Sequence, residues 1–212
     1  MYDWRYEIKF TVADVSFDDI LQSVLYHPAG FRMAFPDRVV NNIYFDTPDF
    51  TCCRENLAGI SERKKFRIRW YDNAKEGDKA KLEVKIKENA LGRKLGYPIE
   101  FTQDLAKLSA VVNEKLIFSD SLRPTLNNGY RRSYYESSCG GFRLTIDREM
   151  TFKPLYSTMF ENSAPSITDP RIIIEVKFPE KNMDRLREIT AFIPFRQTKH
   201  SKYVSGVMAC NH

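Results

Sequence analysis

The sequence predicts an α+β protein built on a closed antiparallel β-barrel of about eight strands, with a few helices flanking it. Three observations lead to this prediction. Polar and apolar residues alternate with a period of two in segment after segment, as expected for strands with one buried face. Most connections between these segments are short, which favours antiparallel pairing. Closure into a barrel is the economical arrangement because it removes exposed sheet edges.

Composition limits the class of protein. The 212 residues suit one domain, placed here at 1–212, and 42% hydrophobic with 29% charged residues excludes a disordered chain. The net charge of +5 suggests an anionic partner but is too mixed to indicate nucleic acid by itself. Four scattered cysteines without a CxxC pair favour reduced thiols. With no signal-peptide core and no transmembrane segment, we expect a cytoplasmic protein.

The elements follow from local patterns taken in chain order. The Ser16-Phe17-Asp18-Asp19 sequence is typical of a capping box that opens a helix. A polar loop is predicted before the strand at 64–71, and the Asn127-Asn128-Gly129 sequence is predicted to break the strand at 125–135. The segment 154–170 is predicted to be a loop. The predicted strands are 4–12, 39–46, 64–71, 79–88, 93–101, 125–135, 142–151 and 171–178. The predicted helices are 16–26, 102–118, 182–192 and 199–209.

The strand at 64–71 shows the alternation most clearly, because one face is a row of cations and the other is large and apolar. The two faces carry Lys65, Arg67 and Arg69 on one side and Phe66, Ile68 and Trp70 on the other. The same division recurs on other strands. Their charged faces carry Arg5, Glu7 and Lys9; Lys81, Glu83 and Lys85; Arg143 and Asp147; and Glu175 and Lys177.

The pattern alone leaves two arrangements open. If the apolar faces point inward, they form an ordinary core and the charges are solvated outside. If the charged faces point inward, the helices must cover the apolar faces, and buried unpaired charges are costly. The interspersed acids lower that cost, and an anionic ligand would lower it further. A charged lumen therefore predicts a ligand such as a triphosphate or polyphosphate.

A set of short motifs, in this order along nearly the whole chain, gives a resemblance to a known family. The motifs are Tyr6-Glu7-Ile8-Lys9-Phe10, Ile43-Tyr44-Phe45-Asp46-Thr47, Arg67-Ile68-Arg69-Trp70-Tyr71, Leu82-Glu83-Val84-Lys85, Leu144-Thr145-Ile146-Asp147, Ile174-Glu175-Val176-Lys177 and Lys199-His200-Ser201-Lys202-Tyr203. The set resembles the catalytic domain of the vacuolar transporter chaperone (VTC) family, a polyphosphate polymerase domain in the triphosphate tunnel metalloenzyme (CYTH-like) superfamily.

The resemblance implies a tunnel barrel with a charged lumen that binds ATP and a divalent cation, Mn²⁺ or Mg²⁺. It implies transfer of the γ-phosphoryl of ATP to inorganic polyphosphate. The implied phosphate-binding residues are Lys9, Arg67, Arg69, Lys85, Lys94, Arg132, Arg143, Lys199 and Lys202, of which Lys9, Arg67, Arg69 and Lys85 are the expected catalytic residues. The implied metal ligands are Glu175, Glu7 and Glu83. One departure is Arg5, which stands at the first acidic position of the superfamily's Glu-x-Glu-x-Lys opening and weakens a hydrolase interpretation.

Simpler interpretations of the same residues stay open at this stage. Glu7 with Lys9, and Glu175 with Lys177, suit plain ion pairs, and Lys199 with Lys202 suits an exposed helix edge. The aromatic and arginine residues at 130–135 suit a nucleic-acid surface, although no nucleic-acid partner is expected because acids are interspersed. No P-loop sequence is present. The alternatives to a polymerase are a tunnel triphosphatase, a non-catalytic polyphosphate- or nucleotide-binding module, and a nucleic-acid-binding barrel.

Overall fold

The computed structural model describes residues 4–116, 121–155 and 165–211. The strands are β1 (Arg5–Val12), β2 (Arg32–Asp46), β3 (Glu62–Tyr71), β4 (Lys79–Glu88), β5 (Leu91–Glu100), β6 (Arg123–Glu136), β7 (Arg143–Pro154), β8 (Ile167–Asp169) and β9 (Ile172–Pro179). The helices are α1 (Phe17–Leu25), α2 (Thr51–Ala58), α3 (Leu105–Lys115), α4 (Leu186–Thr190) and α5 (Lys202–Cys210), and a 3₁₀ helix at Glu180–Arg185 precedes α4.

The strands close into a ring. Neighbours follow the order β6-β2-β3-β4-β5-β1-β9-β7, and β7 pairs again with β6, so eight strands surround a lumen. Strand β8 pairs with β7 beyond β9, on the edge that β6 does not occupy. All of these pairings are antiparallel. The predicted closed antiparallel fold with flanking helices is therefore confirmed.

The contact between β1 and β5 is the thinnest part of this wall. The two strands share one register pair, Arg5 with Gly92. Farther along β1, the C-terminal part of the chain takes the place of β5, because Gln197 forms a bridge with Phe10 and the Thr198 amide donates to the Lys9 carbonyl at 2.8 Å. The segment that leads into α5 thus completes the wall.

The apolar faces of the strands point outward and are covered by helices. Helix α1 buries Ile20 and Val24 against the outer faces of β1, β7 and β9. Helix α3 buries Leu108 and Val112 against the outer faces of β2, β3 and β4. Because alternate residues face opposite sides of a sheet, the charged rows point into the lumen. The structure thus selects the second of the two arrangements that the sequence left open.

Helix α5 fills one end of the lumen. Tyr203 is buried and stacks on Tyr44 of β2 with ring centroids 4.9 Å apart, and Val207 packs in the same apolar cluster. Gly206 allows the close approach, because a Cβ there would lie 2.5 Å from both Leu126 and Phe152 side-chain carbons. The position of α5, and of the residues that precede it, thus depends on this glycine.

We expect Gly206→Ala to destabilise the protein, although alanine usually improves a helix interior. The added methyl group overpacks the contact with Leu126 and Phe152, and overpacking costs about 1–3 kcal/mol, more than the propensity gain of about 1 kcal/mol. Urea unfolding measures the difference. Met208→Ala, at an exposed position two residues farther along the same helix, is the control and should change the urea midpoint little. A Gly206→Ala variant that is more stable than wild type would contradict the close packing.

Two features of the fold differ from the predictions. Helix α2 replaces the predicted polar loop: the buried Asp46 carboxylate accepts the backbone amides of Cys52 at 2.9 Å and Cys53 at 3.0 Å. Strand β6 continues through Asn128 and Gly129, where a turn was predicted, because the buried Asn128 side chain donates to the Thr151 carbonyl and a register shift with β7 follows.

Smaller differences concern element ends. The strand β8 lies in the predicted loop at 154–170, of which 156–164 falls outside the described residues. The end of the helix predicted at 102–118 also falls partly outside them. The helix predicted at 182–192 is a 3₁₀ helix followed by α4, and the one predicted from 199 begins at Lys202. No helix in the described ranges has the length and apolar character needed to cross a membrane.

Candidate functional site

Glu175 lies at the centre of one group of charges in the lumen. Its Oε1 is 3.1 Å from Lys9 Nζ on the neighbouring β1, and its Oε2 is 2.7 Å from Lys177 Nζ. Arg132 and Lys202 lie at 3.5 and 3.8 Å. Burial alone would raise the pKa of Glu175, but the charges of Lys177, Lys9 and Lys202 hold it well below its usual value. Glu175 is therefore an ionised carboxylate among cations.

Asp147 anchors the same group from β7. Its fully buried carboxylate accepts two hydrogen bonds from the Arg132 guanidinium, at 2.5 and 2.6 Å, and contacts Lys202 Nζ at 2.6 Å. This fork-shaped contact is the geometry that arginine offers to a carboxylate or a phosphate. Asp147 thus fixes Arg132 and the first residue of α5 inside the lumen.

Glu83 organises a second group on β3, β4 and β5. Arg67 donates to its Oε2 from Nε at 2.8 Å and from Nη2 at 2.6 Å, while Lys94 Nζ lies 2.6 Å from Oε1. Burial opposes ionisation, but Arg67, Arg69 and Lys94 lower the pKa of Glu83 well below its usual value. Arg69 is held by Asn42 and by the Tyr130 hydroxyl, both at 2.9 Å.

A third part of the lumen carries cations with little acidic compensation. Lys65 faces Lys85 across the β3–β4 register, and Arg63 faces Lys87. Like charges in register are destabilising unless something offsets them. Lys85 contacts Glu7 at 2.9 Å, but Lys65 donates only to the Ser201 hydroxyl, at 2.8 Å, and has no carboxylate within ion-pair distance among the described residues.

The pKa values reflect this excess of positive charge. Burial, followed by the charges of Lys85 and Lys9, lowers the pKa of Lys65 well below its usual value. Burial lowers the pKa of Lys85 to about 8, against the opposing effect of Glu7. A bound polyanion would raise the pKa of both side chains. This part of the lumen is therefore the place where an anionic ligand relieves most electrostatic cost.

We expect tripolyphosphate binding to draw protons from solution at about pH 8.5, because the ligand raises the pKa of Lys85 from about 8 and also raises the depressed pKa of Lys65. Metal-free titration calorimetry in two buffers of different ionisation enthalpy measures the uptake. In Lys65→Arg the side chain stays charged, so the uptake should shrink while binding persists. Equal uptake in the two proteins would mean that Lys65 is not one of the groups that take up a proton.

The candidate metal ligands fall into two places. Lys9 Nζ bridges Glu7 at 3.0 Å and Glu175 at 3.1 Å, so a cation already lies between these two carboxylates. A divalent ion needs only one or two carboxylates when substrate phosphates and water complete its coordination, so Glu7 and Glu175 fit. Nearby on the β7–β9 register, the buried Thr145 hydroxyl has no hydrogen-bond partner among the described residues. Glu83 pairs with Arg67, Arg69 and Lys94 and shares no ion-pair partner with Glu7 or Glu175 among the described residues, so it lies apart from this carboxylate pair.

The structure brings most of the expected site residues to the lumen. Those with lumen contacts are Lys9, Arg67, Arg69, Lys85, Lys94, Arg132 and Lys202, together with Glu7, Glu83 and Glu175. Two expected residues lie apart. The Arg143 side chain is 69% exposed and pairs with Glu136 where β7 begins. Lys199 is exposed and precedes α5; burial, followed by the charges of Arg63 and Lys9, lowers the pKa of Lys87, and Lys199 adds to this effect.

Several lumen residues were not among the expected site residues. Lys65, Lys177 and Asp147 lie on the charged rows, so period-two alternation could have added them. Asn42, Tyr130 and Ser201 carry no comparable signal, because their contacts join segments far apart in the chain. His200 does not serve as an acid or base near neutral pH, since burial and the nearby Lys202 lower its pKa to about 3.

Comparison with known proteins places the chain in a family. Residues 4–211 match the VTC domain. The chain belongs to the VTC domain family. The matched range covers almost the whole sequence and confirms the resemblance that the motifs indicated. No curated protein matches the VTC-family chain significantly.

Solved structures show the same fold at low sequence identity. A candidate adenylate cyclase from Vibrio parahaemolyticus superposes with a TM-score of 0.59 at 15% identity, over 99% of each chain. One from Bacillus halodurans gives 0.55 at 15% identity, over 93% of this chain and 94% of its own. A candidate adenylyl cyclase from Hippeastrum with a dominant triphosphatase activity gives 0.52 at 16% identity, over 98% and 95%. The VTC-family chain thus has the tunnel fold.

Proposed function

We propose that this VTC-domain chain is a metal-dependent phosphoryl-transfer enzyme that extends inorganic polyphosphate with the γ-phosphoryl of ATP. The observation that carries the proposal is the cation-rich part of the lumen, where Lys65 faces Lys85 and has no carboxylate partner of its own in the part of the chain that the structure describes. Family membership and the tunnel fold support a phosphoryl-handling enzyme. The polymerase reaction is the more specific part of the proposal.

Charge density favours a chain of phosphates as the ligand. A triphosphate carries about four negative charges near neutral pH, which suits a lining of arginine forks and lysine point charges. At an effective dielectric near 20, one such contact at about 4 Å is worth roughly 4 kcal/mol before desolvation. Arg67 and Arg69 are already oriented by Glu83, Asn42 and Tyr130, so little order is lost when phosphate binds.

Phosphoryl transfer depends on positioning and charge neutralisation more than on covalent help from the protein. The terminal oxygen of a polyphosphate chain is already anionic, so the acceptor needs no general base. Arg67, Arg69 and Lys85 would hold the phosphates in line and offset the charge that builds on their oxygens. Glu7 and Glu175 would hold a divalent cation, which supplies Lewis-acid neutralisation when bound.

A triphosphatase is the second candidate. Helix α5 fills one end of the lumen, which leaves a blind tunnel that suits a short triphosphate. The Hippeastrum structural neighbour has a dominant triphosphatase activity, which makes hydrolysis chemically plausible for the fold. Hydrolysis needs an activated water, and the carboxylates that could activate it, Glu7 and Glu175, are engaged by lysines.

The test is incubation of the pure protein with ATP and Mn²⁺ or Mg²⁺, followed by a gel stained for polyphosphate and a free-phosphate assay. A ladder supports the polymerase, and free phosphate without a ladder supports the triphosphatase. Tight polyphosphate binding with no turnover would leave a binding module and overturn the enzymatic proposal. Glu175→Gln should lose turnover, whereas Lys107→Gln, a 71% exposed side chain on α3, should not.

A further inference from the structure

A basic pocket opens where β1 and β7 begin and β9 ends. It has a volume of about 310 Å³. Its lining includes the Cys139-Gly140-Gly141 loop and a set of cationic side chains. These cations are Arg5, Arg143, Lys177, Lys181 and Arg185. We call this set the mouth pocket.

The mouth pocket is continuous with the lumen. Lys177 belongs to both, because it lines the pocket and its Nζ lies 2.7 Å from Glu175 Oε2 inside the ring. Arg143 is the register partner of Lys177 on β7, and Arg5 is the partner of Pro179 on β1. Arg5 and Arg143 share the inward face of their strands with Glu7 and Asp147. The inner row of charges therefore extends to the surface at this end, whereas α5 fills the lumen elsewhere.

Acids compensate only part of this charge. Arg143 pairs with Glu136 at 3.4 Å and Arg185 with Glu188 at 2.9 Å, both on exposed side chains where such pairs contribute little. Among the residues that the structure describes, neither Arg5 nor Lys181 has a carboxylate within ion-pair distance. The pocket thus offers a positive surface that continues the electrostatics of the tunnel outward.

We propose that the mouth pocket docks the part of a polyphosphate chain that extends out of the tunnel. This rests on the proposed function, since it assigns the path of that same substrate. A polyphosphate repeats its charge along a flexible chain, which matches cations spread from Lys177 outward. A nucleoside would need an apolar or aromatic platform, and Phe178, the aromatic residue among the described lining residues, is buried.

Cys139 reports on this path. Its thiol is exposed in the pocket lining, 3.5 Å from Arg185, and hydrogen bonds from Ser137 and the Gly141 backbone lower its pKa. Burial raises the pKa of Cys52, Cys53 and Cys210. Iodoacetamide should therefore modify Cys139 first, and peptide mass spectrometry identifies the modified residue.

The experiment measures the alkylation rate of Cys139 in the metal-free protein under three conditions: in the presence of long-chain polyphosphate, in the presence of tripolyphosphate, and without either ligand. We expect long-chain polyphosphate to slow alkylation about tenfold at a concentration near ten times its Kd, while tripolyphosphate, held in the tunnel, changes it little. Lys181→Glu combined with Arg185→Gln should weaken long-chain binding about tenfold and leave tripolyphosphate affinity unchanged. Lys107→Glu combined with Lys115→Gln, at two exposed positions of α3, carries the same charge change and should have neither effect.

Two results separate this inference from the proposed function. In the first, long-chain polyphosphate displaces tripolyphosphate from the tunnel, but it does not protect Cys139 from alkylation and its binding does not depend on Lys181 and Arg185. The mouth pocket is then not on the path of the chain, and the proposed function stands. If neither polyanion binds the protein at all, both the proposed function and this inference fail.

Discussion

Replacing Arg67 with alanine is expected to lower kcat/KM for ATP about a thousandfold. Arginines that offset charge at a transferring phosphoryl group contribute about 10³–10⁵ in rate. Arg67 is inside the lumen, with the Tyr44 hydroxyl at 3.4 Å and two bonds to Glu83. Folding should survive, because Glu83 keeps Lys94 at 2.6 Å and Arg69 at 3.8 Å. Steady-state turnover of ATP with Mn²⁺, alongside a melting curve, measures both effects.

Two control variants make this prediction specific. Arg67→Lys keeps the charge but not the fork-shaped contact, so it should fall between wild type and Arg67→Ala. Lys64→Ala removes an exposed charge from the opposite face of β3 and should leave turnover unchanged. An Arg67→Ala variant with turnover within threefold of wild type would overturn the role of this side chain and would shift the phosphate path away from β3.

Replacing Asp147 with asparagine is expected to destabilise the ligand-free protein by about 3–5 kcal/mol, the usual cost of removing one charge of a buried ion pair. Arg132 and Lys202 both contact this fully buried carboxylate. Burial would raise the pKa of Asp147, but Arg132 and Lys202 lower it, so the carboxylate is ionised at neutral pH. Its contribution to stability is present above the unfolded pKa and is lost as the pH falls through the lower folded value.

The same variant tests whether the lumen accepts anions. Tripolyphosphate should raise the urea midpoint of Asp147→Asn more than that of wild type, because the ligand replaces the missing negative charge. Glu149→Gln is the control: Glu149 is exposed and pairs with Arg131 outside the lumen, so its loss should cost about 0.5 kcal/mol or less. Equal ligand effects on Asp147→Asn and wild type would mean that phosphate does not reach this part of the lumen.

The alternation of residue types predicted the fold well, and the reason is physical. A period of two specifies both faces of each strand, so Lys9, Arg67, Glu83 and Glu175 could be assigned to charged faces from sequence. Which face points inward depends on whether α1 and α3 cover the apolar sides, and that is a tertiary property. The seven motifs supplied the remaining information through the family resemblance.

The errors arose where distant residues decide local structure. Helix α2 has weak amphipathic character, and Asp46, several residues earlier, caps its first amides. The Asn127-Asn128-Gly129 sequence is typical of a turn, but a buried hydrogen bond from Asn128 to β7 keeps the strand extended. In the candidate site, the contact of Lys65 with Ser201 joins residues 136 positions apart in the sequence, so no local pattern predicts it.

The thin junction between β1 and β5 has a consequence for biosynthesis. Strand β1 pairs along its length with β9, and on its other edge with Gln197 and Thr198. Its backbone hydrogen-bonding groups therefore stay unpaired until these residues, which are translated much later, are available. Such nonlocal pairing slows folding. Until those residues leave the ribosome, the nascent sheet exposes unpaired edges and self-repelling lysines. We therefore expect polyanions or molecular chaperones to improve the yield of folded protein during cell-free translation.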